Sequence, residues 1–68
     1  MNEMVRKLLG KTVLVSLRLA GANPVKGILT SAEDGCLIVE QLKGTRRVPV
    51  HIPLGSVLWF VEEHDEHH

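Results

Sequence analysis

The sequence predicts a mainly β protein: a short N-terminal helix followed by five strands that bend into a closed or nearly closed antiparallel barrel. Three observations predict it. From Lys11 to Glu63, short apolar runs alternate with turns rich in Gly, Pro and charge, and no helical period interrupts them. Five such runs fall short of the roughly seven strands of a typical sandwich. The last run, Ser56-Val57-Leu58-Trp59-Phe60-Val61, is apolar on both faces, and a chain of 68 residues cannot cover both faces of its own terminal strand. Its second face calls for another copy of the chain.

The elements follow in order. Asn2 is placed to cap a helix, with Glu3 in its first turn near the positive end of the dipole. Met4, Val5, Leu8 and Leu9 share one side, Arg6 and Lys7 the other, and Gly10 supplies the stop. This helix, residues 2–9, is too short to persist alone and has to dock on the barrel. Lys11 to Leu19 alternates, with Val13, Val15, Leu17 and Leu19 on one face and Thr12, Ser16 and Arg18 on the other. Ala20 to Pro24 is a turn in which Gly21 and Asn23 tolerate positive φ. Val25 to Ala32 is the second strand, and Gly27 inside it marks a bend or bulge. Glu33-Asp34-Gly35 signals a hairpin into a third strand, Cys36 to Leu42. Lys43-Gly44-Thr45 turns into the fourth, Arg46 to Ile52, and Pro53-Leu54-Gly55 is a connection as short as one 3₁₀ turn. The barrel spans residues 11–62 of a single domain, 1–62, and 63–68 form a flexible acidic, His-containing tail.

Composition narrows the class. A domain of this size usually needs disulfides, a metal or self-association to be stable. Cys36 is the only cysteine, so no intrachain disulfide forms; it reads as a small core hydrophobe, and the lack of a disulfide framework suits a reducing, cytoplasmic setting. No run reaches the ~20 apolar residues of a spanning helix, and no signal peptide is visible. The zero net charge hides an asymmetry: residues 1–61 hold all 8 Lys and Arg against four acids, and 62–68 hold the other four acids. A basic body suits a polyanionic partner.

The order of elements resembles the Sm/LSm family, including its bacterial Hfq branch, over roughly residues 3–62. Val13-x-Val15-x-Leu17, Gly27-Ile28-Leu29, Glu33 and Leu37-Ile38-Val39 echo the first Sm motif, and Ile52-Pro53-Leu54-Gly55-Ser56-Val57 echoes the second. The resemblance implies an SH3-like Sm fold and a homo-oligomeric ring of six or seven subunits, in which strand five of one subunit pairs with strand four of the next. Val57, Leu58, Trp59, Phe60 and Val61 would then form the subunit interface, and single-stranded RNA would be the partner. The pocket residues depart from the family. Its Asp and uridine-contacting Asn positions read Glu33 and Leu37, and Pro53-Leu54 stands where Arg-Gly follows the isoleucine. The Tyr-Lys-His of Hfq is replaced by Val50-His51-Ile52. The chain has no Tyr, so the usual base-stacking platform is missing from the expected site.

Chemistry is therefore sought elsewhere. Lys43, Arg46 and Arg47 flank one turn, which the resemblance sets near the ring pore, with His51 beside it; together they are the candidate RNA-binding residues, acting mainly on phosphates. Glu33 and Asp34 are adjacent carboxylates without a nucleophile nearby, and Ser16, Ser31 and Ser56 have no His/Asp partners, so the reading is non-catalytic. His64 and His68 have the i,i+4 spacing of a helical metal pair, with Asp65, Glu66 and His67 around them, but no cysteine accompanies them; no metal and no cofactor is assigned. Two functions stand: a ring that binds RNA, or a ring that has lost RNA and serves as a structural or protein-interaction module.

Overall fold

The computed structural model describes residues 3–63, apart from the side chain of Met4. The proposed cap at Asn2 and the residues 64–68 lie outside that range. Helix α1 runs Glu3–Leu8, with Glu3 in its first turn and Arg6 and Lys7 in its last, each charge matched to the dipole. Gly10 takes φ +83°, and its N–H donates to the Leu29 carbonyl at 2.7 Å, while the Leu29 N–H donates back to Lys11 at 3.0 Å. The helix exit is thus stitched to the second strand. Val5 and Leu8 pack on the core. Leu9 falls beyond the helix and is exposed, because the chain has already turned at Gly10.

Five strands follow: β1 (Thr12–Leu17), β2 (Val25–Ser31), β3 (Cys36–Lys43), β4 (Arg46–Pro53) and β5 (Val57–Glu62), with a 3₁₀ turn at Leu54–Ser56 before the last. They form one antiparallel sheet in the order β4-β3-β2-β1-β5. The sheet is open: β4 and β5 are its two edges, each hydrogen-bonded on one side only. No helix among the described residues is long and apolar enough to cross a membrane.

Strand alternation decides the core. Val13 and Val15 of β1, Leu29 of β2, Leu37 and Val39 of β3 and Ile52 of β4 are buried, and Leu17, Val25, Val50, Val57 and Phe60 pack around them. A single sheet that buries one face largely against itself has to curve. Two irregularities supply part of the curvature: a register shift between Leu29 and Ser31 against β3, and another between Ser16 and Leu17 against β5. The first falls three residues past Gly27, at Thr30, whose hydroxyl donates to the Ile38 carbonyl at 3.1 Å. Gly27 itself stays in register opposite Val13. Its role is close approach to β3 rather than a bulge.

The hairpins use the turn chemistry their residues offer. Asp34 (φ +58°) and Gly35 (φ +71°) are both left-handed, and the Cys36 N–H reaches the Glu33 carbonyl at 3.1 Å, as in a type I′ turn. Between β1 and β2, the Ala22 N–H donates to Leu19 at 3.0 Å over Gly21 at φ +81°. Asn23 does not use positive φ; Gly21 alone supplies it.

Leu19 is the main departure from the expected pattern. It lies outside β1 and is 69% exposed, because the register shift at Ser16/Leu17 ends the strand early. Glu63 also departs. Just past the end of β5, its N–H donates to the Thr12 carbonyl at 2.9 Å and its carboxylate stands 3.9 Å from Lys26, so it is tied to the sheet. Glu62 lies in β5, 3.8 Å from Lys11. The described residues therefore hold 8 Lys and Arg against six acids, a net +2, and the positive body is weaker than a division at residue 61 suggests.

Candidate nucleic-acid interface

The β3–β4 hairpin gathers the positive charge. Lys43 and Arg46 are directly opposed across a two-residue turn whose first central residue, Gly44, has φ +69°, the position where a type II′ turn takes glycine. Like charges directly opposite one another oppose strand pairing. The tip therefore concentrates charge at the expense of local stability, which is where functional residues tend to sit. Both side chains are exposed, and no ion pair among the described residues involves either. Arg47 differs: its Nη1 stands 3.7 Å from Glu40 Oε1. At two-thirds exposure that pair contributes about 0–1 kcal/mol, but it offsets part of the charge.

His51 does not join this cluster. It lies five residues along β4 from Arg46, on the order of 16 Å at ~3.3 Å per residue, opposite Ile38 on the face away from the core. It borders instead a cleft of about 570 Å³. The cleft opens between the free edge of β4 and the end of β1, with Leu17, Val25, Val50 and Ile52 as its apolar lining and Arg18 at its rim. No sequence motif singles out Arg18. Its Nε donates to the Val57 carbonyl at 3.1 Å, tying the end of β1 to β5 across 39 residues of sequence. No local pattern announces such a contact.

A third grouping lies at the opposite end of β3 from the basic tip. The Leu54 N–H donates to the Gly35 carbonyl at 2.9 Å, which sets the Glu33-Asp34-Gly35 turn beside the β4–β5 corner. Both carboxylates are exposed. Leu37, which the resemblance sets at a uridine-contacting position, is fully buried and offers nothing to a ligand. Cys36 is half-buried, with Sγ 3.6 Å from the Leu37 carbonyl. Among the described residues no three metal-ligating side chains gather, and His64, His67 and His68 lie outside them.

The proposed interface strand splits by face. Val57 and Phe60 turn toward the chain's own core, whereas Leu58 (54%), Trp59 (46%) and Val61 (48%) are exposed. Trp59 and Val61 stand opposite Ser16 and Leu14, on the outer face. The chain matches no family model, no curated protein and no solved structure.

Proposed function

We propose that this chain assembles as an Sm-like ring that binds single-stranded RNA without catalysis, contacting phosphates through the β3–β4 hairpins. The observation that carries the proposal is the opposed pair Lys43 and Arg46, exposed on a two-residue turn and in no ion pair among the described residues. Two cations per chain are a weak site alone. Repeated around a ring they act together, because each further contact is made at a high effective concentration. Two open edges and an outward Trp59 support the assembly half of the reading, since exposed edge strands and large exposed apolar groups are features that association removes. A bent Sm-type barrel completed by neighbouring subunits, in a reducing cytoplasm that leaves Cys36 a thiol, is the setting proposed.

Leu37 in the core and the acidic Glu33-Asp34 turn favour a second reading, a ring that serves as a protein-interaction module. A gel shift of purified protein against poly-U and poly-A at low and moderate salt separates the two. The RNA reading expects binding to both homopolymers at low salt that weakens steeply with salt. Intact rings that bind neither leave the interaction module.

A further inference from the structure

The outer face of the sheet carries a second cleft, of about 320 Å³, at the root of the basic hairpin. Directly opposed residues share a sheet face. Thr12, Ile28, Glu40 and Pro49 therefore form one row across β1 to β4. Val13 and Val39 alternate with this row and are fully buried, so the row looks outward. Lys26 and Leu42 stand two residues along from Ile28 and Glu40 and share that face. The close approach of Gly27 to β3 brings these four side chains together, and with Thr12 and the Gly27 backbone they line the cleft. Its volume lies at the small end of the roughly 300–1,000 Å³ of ligand sites.

Two members of the lining stand out. Leu42 is 67% exposed, directly opposite Arg47 and next to Lys43. Glu40 sets a carboxylate at the root of a hairpin that otherwise carries Lys43, Arg46 and Arg47. A carboxylate there repels phosphate and weakens a site for the RNA backbone alone. It gains a use when the ligand also presents N–H donors. Its Oε1 lies 3.7 Å from Arg47 Nη1, and no other ion pair among the described residues involves it. Lys26 stands 3.9 Å from Glu63. Both pairs are long and partly exposed, so a ligand can displace them at little cost.

We infer that this cleft receives a guanine base of the bound single strand. The inference rests on the RNA reading above and adds base recognition to it. Guanine alone among the four RNA bases sets two N–H donors side by side on its Watson–Crick edge, at N1 and N2, and the Glu40 carboxylate accepts both. O6, next along that edge, accepts from the Lys26 ammonium. Adenine and cytosine pair one amine with a ring-nitrogen acceptor, and uracil flanks its single N–H with two carbonyls. Each of these would turn a lone pair toward Glu40. Ile28 and Leu42 give the base an apolar bed, and the Arg47 guanidinium on the same face offers a stacking plane in a chain that has no Tyr. Lys43 follows Leu42 and Arg46 precedes Arg47, so the phosphates of the same segment fall to the basic tip.

Anisotropy titrations of short labelled strands test the pocket: all uridine, uridine with isolated guanosines, and the same strand with inosine in their place. Inosine keeps N1–H and O6 and lacks the N2 amine. The guanosine strand is expected to bind roughly 5-fold or more tighter than the uridine strand, the lower end of discrimination by a good bidentate base contact. The inosine strand is expected to lose most of that gain. Glu40→Gln is expected to erase the preference while holding the uridine strand as tightly or tighter, because it releases Arg47 toward phosphate; that retained binding shows the variant to be folded. Leu42→Ala removes an exposed wall without changing charge and is expected to weaken the guanosine strand alone. Replacing Lys43 and Arg46 with Ser is expected to weaken all strands and keep their ratio. A parent that binds the strands alike at low salt overturns the guanine pocket and leaves the phosphate reading. A preference that survives Glu40→Gln overturns its placement in this cleft. A preference that stands while the Ser variant loses no affinity keeps the pocket and removes the basic tip. A parent that binds no strand at low salt removes both readings.

Discussion

Gly27 lies so close to Glu40 that a Cβ at position 27 would run into the Glu40 carbonyl oxygen and stand 2.7 Å from Val39 Cγ1. The obstacle is mostly backbone, which cannot rotate aside. Gly27→Ala is therefore expected to destabilise the fold by about 1–3 kcal/mol, the usual cost of overpacking. Gly55→Ala is the control, since a Cβ there meets nothing within 4 Å and φ is not left-handed. Urea unfolding measures both; equal midpoints for Gly27→Ala and the parent would show that β2 and β3 can separate.

Leu29→Ala should cost about 2–5 kcal/mol, because the side chain is fully buried among Val13, Val15, Leu37 and Val39. Leu19→Ala should stay within about 0.5 kcal/mol of the parent, because the side chain is mostly in solvent. Alternation alone assigns Leu17 and Leu19 to the same face, so the Leu19 variant tests whether β1 ends before it.

Most of the fold was legible because it follows from local rules. Period-two alternation marked Val13 and Val15, and Glu33-Asp34-Gly35 and Lys43-Gly44-Thr45 marked two turns by their composition. Register shifts were not legible. Nothing local at Ser16 or Thr30 announces a bulge, since bulges arise from how two distant strands must curve together. The candidate site was legible only in part for the same reason. Lys43 and Arg46 meet because a turn lies between them, but His51 belongs to the cleft with Arg18 and not to the basic tip. Only pairing geometry reveals that.

Trp59→Ala and Phe60→Ala should separate two roles that adjacent positions conceal. Phe60 packs on its own core, so its truncation is expected to lower the stability of the chain at any concentration by about 2–3 kcal/mol, less than the roughly 3–5 of a fully buried Phe. Trp59 faces outward, so its truncation is expected to leave the dilute chain folded and weaken self-association roughly 30-fold or more, as for an aromatic hot spot of at least about 2 kcal/mol. Light scattering over a concentration series, paired with melting at the lowest concentration, tells them apart. Two variants with the same profile would contradict the split of faces.

The RNA reading makes its sharpest statement through salt. Phosphate contacts release counterions, and each contact on a single strand contributes about 0.7 to the slope of log K against log salt. Replacing Lys43 and Arg46 with Ser removes two exposed cations per chain that no ion pair among the described residues engages, so affinity and slope should fall together while the assembled mass stays constant. Arg47→Ser is expected to lower affinity less, because Glu40 already offsets part of that charge. Deleting residues 64–68 removes Asp65 and Glu66 without touching Glu62 or Glu63, which pair with Lys11 and Lys26, and should strengthen binding most at low salt. Anisotropy titrations of a labelled single strand at three salt concentrations measure all four proteins. A slope unchanged in the Lys43/Arg46 variant would mean that any RNA contact lies elsewhere on the chain. If the parent shows no binding at low salt and the deletion does not restore it, the RNA reading gives way to the interaction module, because the densest positive cluster of the described strands would then have been tested free of the tail acids and found silent.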